Sequence, residues 1–449
     1  MLYCYNGDKL RLVQNGLIDG KQTDMDYADA KEKDALKQLF FIALTMLLFL
    51  GIACAGCAED MPVMDWEPED ADIPLDTEHF PDDAFRTYLG ESFDANGDGA
   101  LSEEERTRVI EIDVDDMGIV SLGGLEFFQE LRSLHCPSNY ITDLDISQNT
   151  ELRELQCYSN QLSELDVSHN TKLRSLVLFE NHLARLDISQ NPELKDLSCS
   201  QNQLSELDTS QNNKLESLFC GANLLTELDI SHNPELRELS CDGNQLTELD
   251  ISHNPKLQIF DCNTNPLTEL DVSSNPELCS FDCSANQLAK LDVSENPKLV
   301  YFKCHSNQLK MLDVSHNPEL AYLNCKINSL SELDVSQNPK LVYLDCSVNQ
   351  LIKLDISHNK DLHYLSCWNN WLDNVDIGCC TMLVDAVQSE PPIDFDSSML
   401  YQMELHDSNN YIEMEEANYI QMIDDDDCAQ VWIDSSTSLL INQEVFYAP

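Results

Sequence analysis

The chain has 449 residues, with 81 aspartates and glutamates against 26 lysines and arginines and a formal charge of −55 at pH 7. A chain this acidic excludes nucleic acid and anionic membrane faces as partners, and leaves cations, basic proteins and uncharged surfaces. Its length accommodates two or three domains or one long repeat array.

Residues 1–35 are an unassigned upstream segment, unusual because a signal normally opens the chain. Residues 39–56, LFFIALTMLLFLGIACAG, are uncharged over 18 residues, long enough for a short membrane helix. The run closes on ACAGC, with small residues ahead of Cys57. This resembles the lipobox of bacterial lipoproteins and implies a signal over residues 36–57, with the cysteine freed by cleavage and acylated. Cys54 stands where that motif usually has leucine, so Cys54 is the alternative lipidation site; an uncleaved anchor and other processing are the alternatives to a lipoprotein signal. Translation from a non-standard start at Leu36 would give the signal a normal opening. Lipid attachment implies the extracellular face of a bacterial envelope. Residues 58–80 are acidic and punctuated by proline, the composition of a flexible linker.

Residues 81–130 read as an N-terminal cap. PDDAFRTYLGESF and SEEERTRVIEI both have helical patterns, and between them DANGDGALSEEE matches the calcium-loop spacing D-x-[DN]-x-[DN]-G-x₅-E. Asp94, Asn96 and Asp98 would supply side-chain oxygens, Ala100 its carbonyl, Ser102 a ligand or water contact, and Glu105 two oxygens. A structural Ca²⁺ is the expectation; an Asp-Gly-rich surface turn is the alternative. Val109, Ile112, Val114, Ile119 and Leu122 mirror Leu131, Leu134, Cys136, Ile141 and Leu144 at a spacing of 22, so a degenerate half-repeat leads into the array.

From Leu131, twelve 21-residue units run to residue 382 on the pattern LxxLxCxxNxLxxLDVSxNPx. The cysteine column runs Cys136, Cys157, Cys199, Cys220, Cys241, Cys262, Cys283, Cys304, Cys325, Cys346 and Cys367, with Leu178 in the third unit. Alternation around each cysteine marks a strand with one buried face, and no single unit can bury that face alone. The asparagine after each cysteine suits the inward turn, where its amide can satisfy backbone groups. With about ten residues for the return and proline in seven units, extended or 3-10 segments are expected there and no full helix.

The pattern resembles the bacterial internalin-like leucine-rich repeat with a cysteine ladder, over about residues 81–382. The resemblance implies a parallel strand face, an irregular convex side, and recognition or adhesion without catalysis.

Leucine fits the cysteine slot, so the thiols are expected to be packed and reduced; disulfides and metal or redox roles are the alternatives. The aspartates from Asp145 to Asp376 are expected to accept hydrogen bonds from backbone N–H groups near Ser147 and its equivalents, a string of cations being the sharper alternative. Histidines in SHN read as solvated turn residues. Three and one before the cysteine, and one after it, residues point outward. There Tyr301, Tyr322, Tyr343 and Tyr364 form an exposed column with Trp368 beside the last, a candidate protein-binding surface, with glycan as the second ligand class and strand stabilisation as the bland reading.

No HExxH, GxSxG, phosphate-binding glycine loop or Cys-His nucleophile pair stands out. Residues 383–449 read as a C-terminal cap and acidic tail. An envelope scaffold is the first functional alternative, and a hydrolytic site in residues 383–449 the second.

Overall fold

The computed structural model describes residues 72–380 and 383, and the backbone of residues 430–432, 438–441 and 444–447. The signal, Cys54, Cys57, Cys428 and most of the linker lie outside these residues. Each repeat forms one coil of a solenoid, coil 1 starting at Leu131 and coil 12 at Leu362. Each contributes a three-residue strand, from Ser133–His135 in coil 1 to Tyr364–Ser366 in coil 12.

Among the described residues these join a 14-stranded parallel sheet that starts at Glu111–Asp113 and ends at Gln430–Trp432. Every coil pairs with the next at the same repeat position, Leu155 against Leu176 and Phe281 against Phe302. The first step is one residue longer, Ile112 against Leu134, as the spacing of 22 requires. Pairing continues past the strands: Cys136 N donates to Gln156 O at 2.8 Å and Ser138 N to Tyr158 O at 3.1 Å.

The inward side chains form one continuous apolar core. All eleven column cysteines are buried and unlinked, and Leu178 fills the third slot equally buried. Burial pushes the thiols upward, Cys157 and Cys199 to about 12. Phe260, Phe281 and Phe302 replace leucine in coils 7 to 9 and stack at 5.5 Å.

The asparagine after each cysteine behaves as its position suggests. Asn160 Oδ1 accepts from Ile141 N at 3.0 Å, while Nδ2 donates to the carbonyls of Cys136, Cys157 and Tyr158 at 2.9 to 3.2 Å. A second asparagine ladder was hidden in the SHNP turns, which the sequence presents as turn formers only. Asn149, Asn170 and their equivalents to Asn359 are fully buried, and each Nδ2 bonds two backbone carbonyls of preceding coils. Their Oδ1 atoms have no partner in ten coils; Asn233 differs because Thr209 Oγ1 donates to it at 2.7 Å. In coil 12 Cys380 takes the slot, with Sγ 3.3 Å from Asn359 O.

The return limbs are extended and turned, and among the described residues no helix forms on that side of the twelve coils. Asp145 Oδ1 accepts from Ser147 N at 2.9 Å, and the same bond repeats from coil to coil. Hydrogen bonds from that serine hold these carboxylates below their usual range. At the coil ends glutamate and lysine alternate, and Glu151–Lys172, Glu193–Lys214, Glu235–Lys256, Glu277–Lys298 and Glu319–Lys340 form ion pairs between coils. Exposed pairs of this kind are screened by water and salt and add little stability.

The residue before the first asparagine is left-handed in every coil, at φ between 51° and 59°, and is glycine only at Gly243. Ile327 (φ 52°) and Val348 (φ 53°) are β-branched there, which costs conformational energy. Ile327 is 44% exposed, so Ile327→Asn sacrifices only part of a core residue's packing. The expected gain is about 1 kcal/mol, read as a raised urea midpoint. A midpoint that stays put or falls counts against strain at this column.

At the N-terminal end, helix α1 (Asp83–Ser92) and helix α2 (Glu103–Arg108) flank the acidic loop. The second helix is shorter than the pattern SEEERTRVIEI suggests. Ile112 and Val114 face the core, and Glu111–Asp113 pairs with coil 1, so sheet pairing overrides the helical propensity of the charged stretch. Phe80, Phe85, Leu89, Leu101, Leu125 and Phe128 close this end of the core. Asp82 accepts from Ala84 N and Phe85 N to cap α1, and its other oxygen accepts from Val120 N at 2.8 Å, tying the helix to the half-coil. Gly124 (φ 103°) admits the Phe80 ring; a Cβ there would lie 2.3 Å from it.

At the far end Gln430–Trp432 extends the sheet, and Ser438–Ile441 pairs with Asn374–Asp376 and with Glu444–Tyr447.

Candidate functional site

The outward columns of the strands share the register of the sheet, so like residues in successive coils lie side by side. Tyr301, Tyr322, Tyr343 and Tyr364 are register partners in turn. Their rings stack with centroids 4.4, 4.1 and 4.2 Å apart. The column is therefore not the exposed ladder its position suggests. Each ring covers the next, Tyr322 is 3% exposed, and the other three are half-buried. Trp368 is half-buried on the same face, one position after Cys367. Lys303 Nζ lies 5.0 Å over the Tyr301 ring and 3.5 Å from Asp282 Oδ2.

A second stack was missed: Tyr158 and Phe179, one position after their cysteine slots, lie 4.4 Å apart. Their spacing of one repeat in an outward column was the available signal. Likewise Asp242, Asp261 and Asp282, unremarkable in so acidic a sequence, fall on successive coils of this face.

The acidic loop is closed by its own hydrogen bonds. Asp94 accepts from Gly97 N at 2.8 Å and Gly99 N at 2.9 Å, Asn96 from Asp98 N at 2.9 Å, and Asp98 from Ala100 N at 3.0 Å. Glu105 joins the two ends: Oε1 accepts from Ala95 N at 2.9 Å, and Oε2 accepts from Ser102 N and Oγ. These bonds, Ser102 first, hold the Glu105 carboxyl below the usual range. Ala100–Leu101 pairs with Ile73–Pro74, and Leu101 anchors the loop in the core. All six candidate ligands thus belong to one compact loop. Among the described residues, however, no three His, Cys, Asp or Glu side chains converge as a metal centre. Among them, too, no helix is long and apolar enough to cross a membrane.

No family model matches the chain. Internalin J of Listeria monocytogenes serotype 4b is 38% identical over 71 residues, a match that spans 16% of this chain and 8% of that protein. The solved functional domain of InlJ from Listeria monocytogenes, which includes a cysteine ladder, is 37% identical; the match covers 70% of this chain and 74% of that one, with a TM-score of 0.65. The chain belongs to the internalin family of leucine-rich-repeat proteins. A second internalin, InlF of the same species, shares the fold of this internalin-family array at 20% identity and a TM-score of 0.57, over 65% of this chain and 96% of that one. The curated match covers so little of Internalin J that only the repeat architecture of this internalin-family chain follows from it.

Proposed function

We propose that the protein is a non-catalytic recognition or adhesion protein of the bacterial cell surface, whose strand face binds a protein ligand. The observation that carries this reading is the tyrosine stack beside Trp368, a rigid aromatic strip with polar tips on the face the coils hold in register. Glycan is the second ligand class. Stacked rings spend their faces on one another, and Lys303 covers one side of Tyr301, so few open faces are left for a sugar ring. An envelope scaffold or signalling adaptor is the functional alternative. Lipid attachment through Cys57, or Cys54, would place the array outside the membrane; the mass of the mature N-terminus decides this.

Tyr322 is too buried for a clean test, and Tyr322→Ala should cost about 2–3 kcal/mol of stability through lost packing. Tyr364→Ala with Trp368→Ala acts at the end of the stack. A protein cross-linked to the strand face should bind this variant at least about tenfold more weakly, with the melting temperature nearly unchanged. Undiminished binding would remove the tyrosine strip from the proposal.

Asp94, Asn96, Asp98, Ala100, Ser102 and Glu105 are assigned to a structural Ca²⁺. The donor set is all oxygen, as a hard cation requires, and a bound ion would offset the carboxylate charge that the loop now balances with neutral backbone N–H and side-chain donors. These residues would fasten α1 and α2 over the first coils. Exhaustive chelation should lower the melting temperature and speed hydrogen exchange in residues 81–130 first, and Glu105→Gln should abolish the calcium-dependent part. A melt indifferent to chelation removes the calcium assignment.

A further inference from the structure

We propose that Asp242, Asp261 and Asp282 form a subsite on the strand face that takes a cationic side chain, a guanidinium or ammonium group, from the bound protein. This rests on the reading of the strand face as the recognition surface and adds the chemistry of one contact.

The solenoid assembles these carboxylates from three coils. Asp261 and Asp282 are register partners one position before their cysteines, and Asp242 follows Cys241 in the adjoining outward column. Neighbouring coils lie about 4.8 Å apart, so the group spans roughly 10 Å. Each carboxylate is half-buried, neither solvated like a surface aspartate nor sealed in the core. Fixed donors hold them in place: Asn263 N and Nδ2 reach Asp261 Oδ1 at 3.0 and 2.8 Å, Ser240 Oγ reaches Asp242 Oδ1 at 2.5 Å, and a backbone N–H reaches Asp282. Gly221 on the preceding coil leaves room, since a Cβ there would lie 2.1 Å from Asp242 Oδ1.

The charge is under-compensated. Among the described residues the ion pairs of this group amount to one, Lys303 with Asp282. His305 supplies no second cation, because burial pushes it down to about 4. Burial, with neighbouring carboxylates adding to it, pushes Asp242 and Asp261 upward. An arriving cation would relieve that repulsion.

An independent feature points to a ligand. Ser284 is 2% exposed and lies in the same outward column as Asp242 and Asn263. Its N–H donates to Asp282 Oδ1 at 2.9 Å, but its buried Oγ has no hydrogen-bond partner. An unpaired hydroxyl on the residue whose N–H binds Asp282 is an acceptor for a further N–H of a cationic group. The carboxylates do not converge as a metal centre, which favours an extended organic cation over a metal ion. Lys303 bridges Asp282 to the Tyr301 ring, so one protein ligand could engage the carboxylates and the aromatic strip together.

The test uses the full chain and two capped peptides, hexa-arginine and hexacitrulline, titrated by calorimetry at physiological salt. Hexa-arginine should bind and its neutral counterpart should not. Asp261→Asn with Asp282→Asn should weaken hexa-arginine at least tenfold. Glu164→Gln with Glu206→Gln, the same charge change on the exposed return limbs, should weaken it less than twofold. Equal losses from both pairs would reveal diffuse attraction to an acidic protein and overturn the subsite. Ser284→Ala, which changes no charge, should weaken binding about threefold and serves if the aspartate pair perturbs folding; no change there also overturns it. A native partner that is lost on the Tyr364 and Trp368 changes but retained on the aspartate pair would sink the subsite and leave the recognition face standing.

Discussion

Raising the pH from 9 to 10 should unfold the array. Burial, with thiolates in neighbouring coils adding to it, raises ten of the column thiols above their ordinary value of 9.0. In the unfolded chain these thiols lose their protons near the ordinary value; in the folded chain they keep them. Above pH 9 the folded state therefore binds more protons, and stability falls as pH rises. Each thiol contributes up to about 1.4 kcal/mol per pH unit, and ten together on the order of 14 kcal/mol, comparable to the whole stability of a typical domain. Well below pH 9 both states are protonated and the term vanishes. Circular dichroism against pH should show a steep loss just above 9. At pH 8 the folded protein should react with a thiol probe at few sites until denaturant is added. Folding that persists unchanged at pH 10.5, or rapid labelling of most cysteines at pH 8, would remove the dry ladder.

Asn244→Ala should be among the most damaging single changes in the array, costing on the order of 4 kcal/mol or more. One amide makes four bonds: Oδ1 accepts from Leu225 N at 3.0 Å, and Nδ2 donates to the carbonyls of Cys220, Cys241 and Asp242 at 3.0 to 3.1 Å. Truncation leaves buried backbone groups of two coils without partners and without water, so each retains its full desolvation cost. Asn254→Ala in the second ladder is the control. It removes two donated bonds, to Ile230 O and Asn233 O, but also an Oδ1 that has no partner. Its cost should be half that of Asn244→Ala or less. Urea midpoints of the two variants settle the comparison, and equal losses would refute the assigned hydrogen bonding. Because the coils couple chiefly to their neighbours, each loss should be felt locally, and hydrogen exchange should quicken around the substituted coil first.

Much of the architecture is legible because it is written twelve times. A 21-residue recurrence of leucine, cysteine and asparagine leaves one economical arrangement, coils stacked in register around a shared core. The direction of each side chain follows from alternation alone: Leu155 and Cys157 inward, Glu154 and Gln156 outward. The half-coil before Leu131 was readable from its spacing of 22, and the Asp145–Ser147 turn from the residue types. These are local properties that repetition amplifies.

Other features depend on distances between coils, which a pattern does not carry. Outward alternation placed Tyr322 on the surface, yet rings about 4 Å apart bury it. The second asparagine occupies a turn by composition, but the preceding coils supply the carbonyls that draw Asn170 and its equivalents into the interior. The helical charge pattern after Ser102 yields at Val109 because the next residues are needed by the sheet. The repeat, its inward and outward faces and the oxygen donors of the acidic loop thus follow from residue order alone. Which outward residues are covered, which turn polar groups are buried and which carboxylates of different coils become neighbours follow instead from packing between units separated by a full turn of chain.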